Sequence, residues 1–306
     1  MALTIGKNEW RIGGVKVTRV VEIEGPRAPD YLFIGLTAET VRQQKWLLPQ
    51  FATADGQLLG SIHAFVIESA GKRIIVDTCV GNDKERKLLR WNRLQGNFLE
   101  KLAAAGHPAG KIDFVLCTHL HVDHVDWNTC LADGRWIPTF SNARYLFGRS
   151  EWEHWAQENG ADVAGDVTPE VAQNVLEARA VYADSIRPVV DAGLHQLVAP
   201  DHRLTDAVWL EPTPGHTPGH VSVRISSGGH DAVITGDLMH HPIQLAQPEL
   251  SSNFDWSIAQ ARSTRLGFIR RNADRPVLVL GTHFAEPTAG WIVSAGKRWR
   301  LKLARS

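Results

Sequence analysis

Thr118-His119-Leu120-His121-Val122-Asp123-His124 gathers three imidazoles and a carboxylate into six residues, directly after the apolar run Phe114-Val-Leu-Cys117. A packed core cannot easily find hydrogen-bond partners for so many adjacent polar side chains, and the bland alternative is a solvated surface loop. In a tight turn that leads from a strand into a helix, the alternating His119 and His121 can chelate one metal ion. Asp123 and His124, one step round, can face a second. Imidazole and carboxylate donors suit zinc, with iron or manganese next in order.

Further candidates lie downstream of this stretch. Pro214-Gly-His216-Thr-Pro-Gly-His220 is a turn stiffened by proline and glycine that presents a histidine. The segments Val66 to Asp77 and Val223 to Asp237 each read as a hairpin whose second strand runs to an aspartate, and each is followed by a strand ending in Thr-His, at His119 and His283. The echo predicts two pseudo-symmetric halves whose Asp and His groups meet at the seam between them. Periodicity supplies the rest: strands at 15–22, 62–68, 72–77, 113–118, 143–147, 208–211, 221–225, 231–235 and 276–280. Helices are expected at 37–46 with Thr37 as cap, across 84–105 with a break at Gly96, and at 149–158, 168–192 and 256–272.

Composition narrows the function. The 306 residues carry 33 basic against 33 acidic side chains, a zero balance that argues against a nucleic-acid partner. With 43% hydrophobic and 22% charged residues, the chain reads as an ordinary globular protein that can bury a core without disulfides. No apolar run approaches the roughly 20 residues that span a bilayer, so no membrane partner is expected. The first residues lack the apolar stretch of a secretory leader. Three cysteines, Cys79, Cys117 and Cys130, form no C-x-x-C pair and suit a cytoplasmic location as small buried side chains. A homodimer is compatible with all of this.

The order H-x-H-x-D-H, then H, D and H, across residues 119–283 resembles the metallo-β-lactamase fold. The resemblance implies an α/β chain folded as a four-layer αββα sandwich, a single domain over 1–306 with a helical insertion at about 149–193. It implies two divalent ions, zinc foremost: His119, His121 and His216 on one, Asp123, His124 and His283 on the other, and Asp237 bridging. Asp77 matches an aspartate that orients a ligand histidine without touching metal. A hydroxide held between the ions would attack a carbonyl or phosphoryl centre, with Asp123 and Asp237 as proton acceptors. No G-x-S-x-G elbow or phosphate-binding glycine loop is present as an alternative.

Departures from relatives narrow the expectation. True zinc β-lactamases lack the aspartate at Asp237, and diiron flavoproteins of this fold carry Glu at His121. Glyoxalase II enzymes add a helical region for which the 23 residues after His283 are too few. Nuclease members add large domains. What remains resembles the lactonase, arylesterase and organophosphate-hydrolase branch. The expected activity is hydrolysis of a small ester or lactone, with phosphotriester hydrolysis or a mononuclear-iron persulfide dioxygenase as alternatives and a non-catalytic metal protein last. Trp127 and Phe284 flank ligand segments and are expected to reach the pocket. No run of Lys or Arg flanks them, which favours a neutral, partly apolar substrate. His63, His220, His240 and His241 read as hydrogen-bonded or surface histidines. Asp126 stands where relatives often carry glycine, so it adds a carboxylate near the site and Asp126→Gly is expected to be mild.

Overall fold

Strand alternation sorts the apolar side chains of two mixed sheets into an inner and an outer layer each, in a computed structural model that describes residues 3–160 and 176–303. The first sheet runs β1 (Thr4–Ile5), β2 (Glu9–Ile12), β3 (Val15–Arg27), β4 (Leu58–Ser69), β5 (Lys72–Val76), β6 (Phe114–Leu116), β9 (Arg144–Gly148) and β10 (His195–Val198). The second runs β11 (Arg203–Thr205), β12 (Val208–Pro212), β13 (Val221–Ser227), β14 (His230–Ile234), β15 (Val277–Leu280), β16 (Ala289–Ala295) and β17 (Arg298–Leu303). A small hairpin, β7 (Thr129–Ala132) and β8 (Arg135–Pro138), turns at Asp133-Gly134, both with positive φ.

Between the sheets Val17, Phe65, Ile67 and Leu116 meet Leu210, Val223, Ile234 and Leu280. The outer face of the first sheet, with Val66, Ile75 and Val115, is covered by Phe98 and Leu102 of helix Phe98–Ala104 and by Ile186 and Val189. On the second sheet, Val233, Val279 and Ile292 pack under Phe268 and Ile269 of helix Ile258–Asn272. Helix, sheet, sheet and helix make the expected four layers. No helix among the described residues is long and apolar enough to cross a membrane.

The internal echo is real, with one offset. In each half an antiparallel hairpin (β4–β5, β13–β14) is followed by a parallel strand (β6, β15). The Asp77 N–H donates to Leu116 O at 2.9 Å, and the Thr235 N–H donates to Leu280 O at 3.0 Å. The Thr118 N–H reaches Asp77 Oδ1 at 2.8 Å, and the Thr282 N–H reaches Thr235 Oγ1 at 3.2 Å. The counterpart of Asp77 is therefore Thr235. Asp237 lies two residues further on, beyond Gly236 at φ 55°.

Three expectations change. The strand expected at 15–22 continues to Arg27, through Pro26, because β2 pairs only with its first residues and the later ones bond β4 alone. A proline on an unpaired edge forfeits no ladder hydrogen bond. The helix expected across 84–105 forms only at Phe98–Ala104. The preceding loop is held by buried Lys84 and Arg86 and passes through left-handed Asp83 and Arg93. Of the helices expected at 149–158 and 168–192, the first spans Arg149–Gly160, and residues 176–191 are helical with a wide turn at Tyr182–Ile186. Residues 161–175 lie outside the described residues.

Candidate metal centre

All seven expected ligands meet at one cleft where the two sheets end. The turn after β6 carries His119 and His121 and opens the short helix Val122–Val125, which carries Asp123 and His124. The loop after β12 brings His216, the turn after β14 brings Asp237, and the loop after β15 brings His283.

Two clusters emerge. His121 Nδ1 lies 3.0 Å from His119 Nε2 and 2.9 Å from His216 Nε2. On the other side His283 Nε2 is 3.3 Å from His124 Nε2, and Asp123 lies 3.7 Å from each. Asp237 stands between them. Its Oδ2 is 3.3 Å from His216 and 3.9 Å from His119, and its Oδ1 is 3.3 Å from His124 and 3.0 Å from His283.

These distances fit metal ions better than they fit mutual hydrogen bonding. One imidazole N–H cannot serve two acceptors on both sides of His121, so lone pairs are left facing each other. Asp237 Oδ1 is buried without a hydrogen bond. Burial pushes His119 and His216 well below the usual imidazole range and His121 down to about 4, which keeps them in the neutral form a metal needs. Burial also opposes charge on His124, yet Asp237, Asp77 and Asp123 around it hold it well above that range. The donor set fits divalent cations.

Three of the rings are oriented from behind. Asp77 Oδ2 is 3.0 Å from His124 Nδ1, as the resemblance implied for an orienting aspartate. The Asp255 carboxylate, buried and accepting the Ser252 N–H, is 3.1 Å from His216 Nδ1. His283 Nδ1 donates to Ser61 O at 2.9 Å. His220 accepts the Asp237 N–H at 2.8 Å, and His63 and His241 are hydrogen-bonded inside the protein.

His240 departs from the bland reading. Its buried ring makes no hydrogen bond and places Nε2 3.2 Å from Asp237 Oδ2, and its position three residues after Asp237 was the only signal in the sequence.

Glu151 is a residue the sequence reading missed. From helix Arg149–Gly160 its carboxylate accepts the Leu120 N–H at 3.0 Å, the Gly219 N–H at 3.1 Å and the Trp155 ring N–H at 2.7 Å. It thereby ties the loop of His119 and His121 to the loop of His216. A Cβ on Gly219 would stand 2.1 Å from the Glu151 nitrogen, so the close approach requires glycine.

Two expectations about the surroundings are corrected. Trp127 stacks on Phe98 and donates to Glu22 at 2.6 Å, and Phe284 is fully buried against Phe51; both belong to the core. The ring that meets His121 is Trp155, at 5.6 Å edge-on. Asp126 faces away from the metal cluster, fully buried, in a two-point pair with Arg86 at 2.6 and 2.8 Å, with Ser185 Oγ at 2.6 Å. Its backbone is right-handed helical, so the position asks for no glycine. Arg86 also holds Asp184 at 2.7 Å, which fastens the turn Tyr182–Ile186 to the core. The three cysteines are free, and burial raises the thiols of Cys79 and Cys117 well above their usual range.

Solved structures share this architecture across nearly the whole chain. "Hydrolase AbOPH in beta lactamase superfamily" is 22% identical with a TM-score of 0.79, covering 99% of both chains. AidC, described as a dizinc quorum-quenching lactonase, is 17% identical with a TM-score of 0.74, covering 100% of this chain and 98% of its own. A probable metal-dependent hydrolase from Staphylococcus aureus is 19% identical with a TM-score of 0.67, covering 97% of this chain and 100% of its own. No curated protein sequence matches the chain. The family model of the metallo-beta-lactamase superfamily matches residues 58–305. That span takes in every residue from the strand before Asp77 to the loop of His283, and the chain belongs to the metallo-beta-lactamase superfamily.

Proposed function

We propose that the protein is a metal-dependent hydrolase that holds two divalent ions, zinc foremost, and cleaves the ester bond of a small carboxylic ester or lactone. The observation that carries this reading is Asp237, whose two oxygens divide between the His119–His216 side and the His124–His283 side. His119, His121 and His216 would hold one ion and Asp123, His124 and His283 the other, with residues 1–306 acting as one domain. Bound there, the ions would supply a water that ionises near neutral pH and an electrophile for the carbonyl oxygen.

The chain's own groups then have definite tasks. Burial keeps the first three imidazoles neutral, and Asp255, Asp77 and the Ser61 carbonyl fix the rings of His216, His124 and His283. Asp123 and Asp237 are the carboxylates placed to take a proton at the reacting centre. Support for an ester or lactone in preference to other electrophiles comes from the fold's kinship with the lactonase AidC.

The test is twofold. Protein purified without chelator should carry close to two ions per chain by elemental analysis, and His216→Ala and Asp237→Ala should lose turnover while keeping the native circular dichroism. A parallel panel of lactones, aryl esters, phosphotriesters and a persulfide should show lactone or aryl ester turnover ahead of the others. A single iron per chain with dominant persulfide oxidation, or phosphotriester turnover orders of magnitude ahead, would overturn it.

A further inference from the structure

Arg27 ends β3, the strand that runs further than its sequence pattern suggests, and only 9% of its surface is exposed. Its guanidinium makes no hydrogen bond and no ion pair among the described residues. The other buried arginines are provided for. Arg19 pairs with Glu24, Arg86 with Asp126, and Arg265 donates to the carbonyls of Pro248 and Leu250. A guanidinium this enclosed and without a directly paired anion carries part of the cost of a buried charge, although its nitrogens are not fully shut off from solvent. Burial together with the neighbouring Arg90 charge lowers its proton affinity, with Asp123 acting the other way.

The side chain lies beside the metal cluster. It crosses Gly60: the point where a Cβ would stand there is 3.0 Å from Arg27 Nε and 3.6 Å from the His283 carbonyl oxygen. The groups whose charge reaches it are Arg90, Asp123 and Tyr31. Asp123 is the carboxylate of the His124–His283 cluster, and Arg90 lies over the Tyr31 ring at 5.1 Å. Two guanidinium groups and a phenol therefore gather at the Asp123 edge of the cleft, from stretches of sequence far from any ligand.

We infer that Arg27 is a specificity-determining residue that receives a carboxylate on the substrate, so that the preferred ester or lactone carries a negative charge beyond its scissile bond. The inference rests on the hydrolase reading above. It replaces the neutral substrate expected from the sequence, where no arginine adjoins a ligand segment. The planar guanidinium fork matches a carboxylate at two points, and glycine at position 60 leaves the space the arginine occupies.

Two measurements test it. In the first, 4-nitrophenyl hexanoate and the 4-nitrophenyl monoester of adipic acid are compared, since they differ chiefly in a terminal carboxylate and the adipate chain disfavours attack of that carboxylate on its own ester. The charged ester should be favoured in kcat/KM by about tenfold or more, the scale of one charge-assisted contact, and the ratio should collapse in Arg27→Gln and recover partly in Arg27→Lys. In the second, calorimetric titration of the metal-loaded protein compares butyrate with malonate, succinate and glutarate. The best dicarboxylate should bind about tenfold tighter than butyrate in the wild type, with the advantage gone in Arg27→Gln and the metal content unchanged.

If neither ester turns over but the dicarboxylate advantage depends on Arg27, the anion site stands and the ester reading falls. Equal preference for the two esters in the wild type, or a dicarboxylate advantage that survives Arg27→Gln, overturns the proposal. Tighter binding of inorganic phosphate than of any dicarboxylate, again lost in Arg27→Gln, overturns the carboxylate as the substrate group.

Discussion

Asp255 is a residue on which the proposed metal centre would depend without touching a metal itself. Its carboxylate, 3.1 Å from His216 Nδ1, fixes both the ring's orientation and which nitrogen carries the proton. Asp255→Ala should weaken metal binding by about 10- to 100-fold, measured by competition against a chromophoric chelator, with the fold intact. Unchanged affinity would show that the neighbouring packing alone holds the ring. Asp126 makes a sharper case because structure reverses the sequence expectation. Removing its carboxylate leaves Arg86 with Asp184 as its remaining two-point partner and the Ser185 hydroxyl without its acceptor on Asp126, so Asp126→Gly should cost about 1–3 kcal/mol of stability in urea unfolding. The seven proposed ligands were legible as candidates because their chemistry is written locally: four in one turn, one in a Gly/Pro turn, two at strand ends. Asp255, Glu151 and Arg27 were not, since each lies far along the chain from the groups it serves and only folding gives it a role.

At the scale of elements, the cleft is held by ties between loops. Helix Arg149–Gly160 contributes Glu151, which joins the loop of His119 and His121 to that of His216 through two backbone N–H groups. Glu151→Ala leaves those donors buried and unpartnered, at about 1–3 kcal/mol each, and should lower stability and metal affinity together; a stability loss with unchanged affinity would limit it to a structural brace. Glu22 makes a similar tie from β3, accepting the N–H groups of Val80 and Gly81 and the Trp127 ring N–H. Burial outweighs those bonds and pushes its carboxyl up to about 7. A carboxyl raised on folding stabilises fully below its unfolded value near 4.5 and loses that contribution as pH climbs through 7. Glu22→Gln should therefore flatten the fall in urea midpoint between pH 5 and pH 8, and an unaltered slope would sink the assignment. Strands and their order of hydrophobic residues were readable, but the end of β3 was not. Pro26 reads as a breaker, and only the absence of a second neighbour for that part of the strand makes it harmless.

The strands divide along the chain with no interleaving: β1–β6, β9 and β10 make one sheet, β11–β17 make the other, and the change of sheet comes once, over residues 199–202, while the segment between β3 and β4 packs Phe33, Val41 and Phe51 against the second half. The first sheet's portion supplies His119, His121, Asp123 and His124, and the second supplies His216, Asp237 and His283. Each proposed ion would thus be shared between the halves, and stripping the ions should lower the thermal midpoint by roughly 10 °C, restored by adding zinc. The proposed ions would then act as a rivet as well as a reagent. The single crossing has an architectural corollary. A polypeptide severed at Asp201 would yield two pieces, each with every strand of its own sheet, whose sticky inner faces are made for one another. Mixed, they should reassemble with a rate proportional to the concentration of each, and neither alone should hold metal at the wild-type level. Function in such a protein would report that two separate chains have met.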